Sequence, residues 1–413
     1  MLVVLKIPSN FFENGKSQVN IHLCVVTGQP LANLIPLLQE QPECVALAVS
    51  EDMDETAKRF INTLIHAGWS VDKILRYDSV PSRDYDSILM RAMEIEELLR
   101  SAFPQGLVTF NATGGNKLMA LAFMSVFSEQ PHRVIYTDTL AHRIEILYPR
   151  NQGYVDLAPV LTMELYLKAS GKTFRSRQDQ DAVWRERVIK RRAATYHLAH
   201  HADELQALVS KFNKHFSEFN NTRTLPEPFR LEYLSHAVWK KAMELMVEGD
   251  VLDQLSGKEC WYAKSSDTAR YLSGAWLEEY VWHEALRCKA DDVAVSLVFT
   301  DDSARKENIR NEIDLAVLAH NRLLLLECKT GNIAQEGKDA DIIYKLDSLT
   351  EQAGGLMSEG ALISFKSLEY SNRDGQKVNT RARAGSVRLH TCEGSQLKTV
   401  HLHIESWIKS GKW

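Results

Sequence analysis

The alternation of apolar and polar positions divides the chain into stretches of different period. Over residues 19–150, short apolar runs at 21–26, 45–49, 73–77, 107–110, 134–137 and 143–148 alternate with segments at 31–39, 54–67, 85–102 and 118–127 that repeat at helical spacing. Strands separated by helices need crossover connections, which predicts an α/β fold with a mainly parallel, doubly wound, Rossmann-like sheet. Residues 151–265 read as a mainly helical connector, with periodic segments at 186–208 and 231–247 and a break at Leu225-Pro226-Glu227-Pro228. From 266 to 413 a second α/β domain is expected. A helix opens near Gly274-Ala275-Trp276-Leu277-Glu278-Glu279, two β-rich runs flank His320-Asn321, and a further helix takes in residues 342–349. Residues 1–18 stand apart as an extension.

The two β-rich runs carry the sharpest chemical signal. If His320-Asn321 is a two-residue hairpin loop, Ala319 faces Arg322, and counting outward sets Asp314 opposite Glu327. Directly opposed side chains share a face with Cβ atoms ~5 Å apart. Two carboxylates there repel unless a cation lies between them, so Asp314 and Glu327 are candidate ligands for a hard metal ion. Period two puts Lys329 on the face of Glu327 and turns Cys328 to the other. The competing reading is a structural salt bridge between Lys329 and Glu312, which also face each other in this register. It leaves Asp314 and Glu327 uncompensated.

In the first domain two loops follow strand ends, where doubly wound sheets bind ligands. One is Thr27-Gly28-Gln29-Pro30, with Asn33 a turn later. The other is Asn111-Ala112-Thr113-Gly114-Gly115-Asn116-Lys117, leading into a helix. Paired glycines let the backbone approach a ligand, free N–H groups at a helix start favour an anion, and Lys117 adds a positive charge. The plainer reading is a tight strand-to-helix turn. Neither G-x-x-x-x-G-K-[ST] nor G-x-G-x-x-G is present, which speaks against ATP hydrolysis and dinucleotide binding.

Composition narrows the setting. At 45% hydrophobic and 25% charged residues this is ordinary globular composition, and a net charge of −5 means that any nucleic-acid surface must be local. Cys24, Cys44, Cys260, Cys288, Cys328 and Cys392 form no C-x-x-C pair, which argues against a zinc cluster and fits a reducing compartment. The start does not read as a signal peptide, and no apolar run approaches the ~20 residues of a membrane helix, so a cytoplasmic protein is expected. The eight Lys and Arg between 172 and 192 read as a solvated helix face, with a phosphate-facing surface as the alternative. The basic tail from Lys366 to Arg388 is a candidate lining for a substrate groove. His197 and His201 have i, i+4 spacing without an H-E-x-x-H acid and, with His200, read as surface histidines.

Two family resemblances follow from these residues. The first domain resembles the CARF domain, the Rossmann-like sensor of CRISPR-associated effectors, whose [S/T]-x-G-G-x-[K/R] loop is matched by Thr113, Gly114, Gly115, Asn116 and Lys117. Thr113 stands one residue closer to the glycines than the family spacing. The resemblance implies a homodimer that binds a cyclic oligoadenylate, with cyclic tetra-adenylate first in line, through Thr27, Gly28, Gln29, Ser50, Asn111, Thr113, Gly114, Gly115, Asn116 and Lys117. The last domain resembles the PD-(D/E)xK restriction-endonuclease-like superfamily, through a G-x-x-L-E-x-x-V helix followed by Asp314, Glu327 and Lys329. No Pro precedes Asp314; Ile313 stands there. By this match Glu278 completes a site for Mn2+ or Mg2+ with Asp314 and Glu327, Lys329 helps position the attacking water, and Glu279 is left to solvent. The segment Tyr344-Lys345-Leu346-Asp347-Ser348-Leu349 followed by Gly354-Gly355 resembles the corresponding part of CARF-linked nucleases of type III CRISPR defence, with Lys345 a candidate phosphate contact. Together they imply a nuclease acting on RNA or DNA, single-stranded in the first instance, switched on by its activator. The alternatives are an autonomous DNA endonuclease and a non-catalytic, nucleotide-responsive DNA-binding regulator.

Overall fold

The computed structural model describes residues 18–129, 131–231, 236–255, 259–302, 310–333, 338–371 and 377–413. The first seventeen residues of the expected extension lie outside them, as do Arg373 and Asp374 of the basic tail. The chain forms two compact units, Met1–Thr173 and Phe174–Trp413.

In the first unit β1 (Asn20–Val25), β2 (Cys44–Ala48), β3 (Ile74–Tyr77), β4 (Leu107–Asn111), β5 (Arg133–Asp138), β6 (Arg143–Tyr148) and β7 (Tyr154–Asp156) form one sheet in the order β3-β2-β1-β4-β5-β6-β7. The first five run parallel and the last two antiparallel. Strands β1 and β2 are buried on both faces, which is why they read as continuous apolar runs rather than alternation. Helices α1 (Leu31–Glu40), α2 (Asp54–His66), α3 (Tyr85–Ala102) and α4 (Lys117–Phe127) make the crossovers, and Phe110, Phe123 and Phe127 stack in the core. Strand order reverses between β1 and β4, so the two loops singled out above meet at the sheet's switch point.

A buried histidine interrupts this core. His22 on β1 is buried, and neither ring nitrogen has a hydrogen-bond partner among the described residues; Glu40 Oε2 lies 3.7 Å from Nδ1. Burial, followed by the charge of Arg133, pushes its pKa down to about 3. A histidine depressed in the folded state contributes stability that is full above its ordinary value of 6.5 and lost as pH falls toward 3. The first unit is therefore expected to lose stability from pH 6.5 downward, by up to roughly 4 kcal/mol. Melting temperatures from pH 7.5 to 4 check this, and His22→Leu should flatten the slope; an unchanged slope in that variant would assign the acid lability elsewhere.

In the second unit β8 (Lys172–Ser176), within which the boundary between the units falls, edges a sheet completed by β9 (Asp292–Asp301), β10 (Arg310–Ala319), β11 (Arg322–Lys329), β12 (Ser358–Ser364) and β13 (His390–Glu393). Its order is β13-β12-β11-β10-β9-β8. The hairpin has the expected register: Ala319 pairs with Arg322, and pairing runs out to Leu315 with Leu326. His320 and Asn321 take φ of +49° and +62°, the pair of left-handed residues that a tight hairpin turn requires. Helix α5 (Trp276–Arg287) packs on β9 and β10, and α6 (Asp339–Gly354) on β12.

The stretch read as a connector packs differently from that expectation. Trp184, Leu198, Leu205 and Val209 share one hydrophobic core with Trp276, Tyr280, Leu315, Leu326 and Trp407. The helix anticipated over 186–208 is three helices, Ala182–Lys190, Arg192–His200 and Ala202–His215, broken at Arg191 and His201. The basic run is a solvated face in part, with Arg175, Arg185, Arg187, Lys190 and Arg192 exposed and Lys172 and Arg191 buried. Arg177 is tied to Asp179 and Asp292, Arg191 is buried, and Lys190 pairs with Asp250 at 2.9 Å. The histidines are partly exposed, with His197 against the Val238 carbonyl and His201 against Glu204.

Candidate active site and sensor loops

The hairpin register carries Asp314 and Glu327 one step beyond the last paired residues, where β10 and β11 leave the core. Asp314 accepts the Cys328 backbone N–H at 2.7 Å, which fixes its carboxylate across the strand end. Lys329 holds its ammonium 2.6 Å from Glu327 Oε1 and 3.5 Å from Asp314 Oδ2, so its partners are these two carboxylates rather than Glu312. Cys328 turns the other way and is buried in the core.

Glu278 reaches the same end of the sheet from helix α5, and the approach is engineered in the preceding turn. Residues Tyr271–Ala275 form a π-helical turn, a widening often seen at functional sites. Within it Gly274 has φ of +135°, and a Cβ there would lie 2.7 Å from Thr330 Oγ1, one residue past Lys329. Only glycine lets the helix start come this close. The Glu278 carboxyl is 17% exposed and 3.7 Å from Arg270. Burial first, and repulsion by Asp314 second, hold its pKa well above the carboxylate range. Glu327 is raised by the same two causes, with Lys329 and the exposed Lys345 of α6 pulling the other way. Lys329 itself is raised: burial works against its charge, but Asp314 and Glu327 outweigh it.

Asp314 repels both Glu278 and Glu327, and these three carboxylates, with the Lys329 ammonium between two of them, are a hard-oxygen donor set suited to a divalent cation. Among the described residues no three His, Cys, Asp or Glu side chains are already drawn together as tightly as a metal cage. The lysine ammonium sits where charge balance is needed.

Glu279, expected in solvent, is buried. Its carboxylate takes a fork from Arg191, with Nε at 2.9 Å, and the same guanidinium reaches Asp267 at 2.5 Å and lies over the Tyr271 ring. Burial raises the Glu279 pKa to about 6 against the pull of Arg191. Sequence reading also missed Arg270, Asn213 and Thr330. Asn213 accepts a hydrogen bond from the Thr330 hydroxyl at 3.3 Å and so ties the helix Ala202–His215 to the end of β11. No spacing in the chain marks these three; only Gly274, in G-x-x-L-E, carried a readable signal.

In the first unit the two loops at the switch point are braced by asparagines. Asn33 donates to the Val25 carbonyl at 2.9 Å, and Asn111 donates to Asn33 Oδ1 at 3.3 Å. Asn111 Oδ1 accepts from the backbone and hydroxyl of Thr113, whose Oγ1 accepts from Thr137 N at 2.7 Å. Gly114 is required by close approach, since a Cβ would lie 2.2 Å from the Val25 carbonyl oxygen, and Gly115 has φ of +75°. Asn116 caps α4 through Met119 N, and Ser50 is buried behind β2. Gly28, Gln29, Asn116 and Lys117 are exposed around the switch point.

Residues 21–166 match the family model for the Card1 CARF domain, and residues 265–410 that for the Card1-like endonuclease domain. Among solved structures, protein VC1899 from Vibrio cholerae superposes with a TM-score of 0.80 at 20% identity, covering 95% of this chain and 99% of that one. Can2 from Sulfobacillus thermosulfidooxidans, solved in complex with cyclic tetra-adenylate, gives 0.72 at 22% identity over 94% and 97%. A type III CRISPR defence DNA nuclease activated by cyclic oligoadenylate gives 0.50 at 14% identity, over 83% of this chain and 45% of that one. None of the curated proteins matches. Among the described residues no helix is long and apolar enough to cross a membrane.

Proposed function

We propose that this chain, which joins a Card1 CARF domain to a Card1-like endonuclease domain, is a cytoplasmic homodimeric nuclease that cuts RNA or DNA, single strands above all, when a cyclic oligoadenylate occupies the first unit. The observation that carries the reading is the Lys329 ammonium held between Asp314 and Glu327 at one sheet end, with the Glu278 carboxyl near enough to be repelled by Asp314. These carboxylates would hold Mn2+ or Mg2+, and a bound ion supplies Lewis-acid polarisation of the phosphodiester and a water of lowered pKa. Asp314 is oriented for that task by the Cys328 N–H. Lys329, kept charged, is placed to donate to the attacking water or a phosphate oxygen, and Lys345 offers a second cation to the strand.

The activator reading draws on the Can2 complex with cyclic tetra-adenylate and on the loops that meet where the strand order reverses. Thr27, Gly28, Gln29, Ser50, Asn111 and Thr113–Lys117 would form its seat: braced asparagines behind, exposed backbone and Lys117 in front. A ligand shifts a conformational balance only through differential affinity, and moving 1:99 to 99:1 takes about 5.5 kcal/mol. Purified protein is expected to be nearly silent on labelled single strands with manganese, and strongly stimulated by cyclic tetra- or hexa-adenylate. Equal activity with and without each ring would defeat the switch and favour an autonomous endonuclease. Lys117→Ala removes a charge-assisted phosphate contact of roughly 1.5–3 kcal/mol, so half-activation should need about 10- to 150-fold more activator. Unchanged dependence would return the loop to a purely structural turn.

A further inference from the structure

Arg270 closes the short helix before the π-helical turn, and its side chain is 37% exposed beside the carboxylate cluster. Its Nη2 donates to Ser296 Oγ at 3.0 Å and lies 3.7 Å from Glu278 Oε2, beyond hydrogen-bond reach. Both contacts use one nitrogen. Nε and Nη1 have no hydrogen-bond partner among the described residues, and Nη2 has a second N–H besides the one given to Ser296, so one two-donor edge that includes Nη2 is still unused.

The residue that anchors this guanidinium is itself unusual. The β9–β10 register pairs Val295 with Leu315 and Leu297 with Ile313, so Ser296 stands across from Asp314. It is buried, with φ of +46° in the middle of a strand. A non-glycine residue held there is strained and persists where the surroundings over-determine it. Ser296 Oγ is also within 3.2 Å of Gln178 Oε1. The hydroxyl therefore links Gln178 to Arg270 and steadies the guanidinium from behind.

We propose that Arg270 is a catalytic residue that grips the non-bridging oxygens of the scissile phosphate through its unused N–H edge; this rests on the nuclease reading above. Glu278, Asp314 and Glu327 crowd negative charge where an anionic strand must come, and Lys329 is already shared between Asp314 and Glu327. Beside the metal ion and Lys345, a partly exposed cation on the Glu278 side helps to admit the phosphate, and a planar fork suits two of its oxygens. A counter-ion serving Glu278 alone would close on that carboxylate, whereas Arg270 stands off from it and is held by a neutral hydroxyl.

The test uses the full chain with saturating cyclic tetra-adenylate. Binding of a short fluorescein-labelled single-stranded DNA is followed by anisotropy over a range of salt, in EDTA, beside single-turnover cleavage in manganese. Arg270→Ala should lower the slope of log K against log salt by about 0.7, the share of one phosphate contact on a single strand. Its cleavage should fall about 10²- to 10³-fold. Arg270→Lys should keep the slope and still cleave at least about tenfold more slowly, because an ammonium cannot reproduce the fork. If Arg270→Ala does not fold, Arg270→Gln takes its place with the same expectation. Slope and rate both at wild-type values would overturn the proposal and leave Arg270 a counter-ion of Glu278. Wild-type protein that binds but cuts no strand would sink the nuclease reading instead, while a lowered slope in the variant would still support the phosphate contact.

Discussion

Asp314→Asn is expected to reduce cleavage by on the order of 10³-fold or more without lowering the melting temperature. The activity loss follows from removing one of the charges that would hold the cation; several kcal/mol of transition-state stabilisation correspond to about three decades in rate. The stability expectation follows from the geometry. Asparagine keeps an oxygen for the Cys328 N–H that Asp314 now accepts at 2.7 Å, and Lys329 keeps Glu327 at 2.6 Å. Meanwhile the change removes a charge that repels both Glu278 and Glu327. A site assembled against its own repulsion should become no less stable when that repulsion is relieved. Calorimetry and single-turnover cleavage on the same preparation check both halves. Wild-type cleavage in this variant would remove Asp314 from the site, and a large drop in melting temperature would make its role structural.

Glu279→Ala, one residue from the site, is expected to do the opposite and cost stability first. The change leaves the Arg191 guanidinium buried with only Asp267 to pair with. Breaking a buried pair from one side typically costs about 3–5 kcal/mol, which for a unit of this size is about 6–20 °C in melting temperature. Removing both charges, in Arg191→Met with Glu279→Leu, should recover much of the loss, because the desolvation of two ions disappears along with their attraction. A melting temperature within a degree or two of wild type in Glu279→Ala would mean that the pair is solvated and contributes little. Glu278→Ala should show the reverse balance, with cleavage lost and the fold retained.

The contrast between these neighbours marks where sequence reading stops. The hairpin was legible because a tight turn, period-two alternation and an apolar run all constrain the same register, and Asp314, Glu327 and Lys329 follow from counting. The strand-to-helix loop was legible because Gly114 stands where backbone must pass the Val25 carbonyl and Gly115 where φ is positive. Glu279 was not. Adjacent helix positions point about 100° apart, so if Glu278 faces the site its neighbour is sent toward solvent, unless something covers that side too. Here it is covered, by Arg191 from a position 88 residues earlier. The same partner explains why an apparently continuous helix over 186–208 breaks: Arg191 turns inward at the junction. Charge complementarity across such a distance leaves no periodic trace, and neither does the left-handed Ser296.

The burial of Arg191 also decides where this gene can be divided. The endonuclease family match begins at residue 265, which invites cloning the catalytic part as a cassette from there. Such a fragment would discard Arg191, Asn213 and the apolar faces of Trp184, Leu198 and Leu205, leaving Glu279 and one side of the core open to water. A transferable cassette has to start ahead of Lys172, so that the edge strand Lys172–Ser176 comes with it. Swapping sensors between relatives would then succeed at that seam and fail at 265, however well the shorter segment aligns.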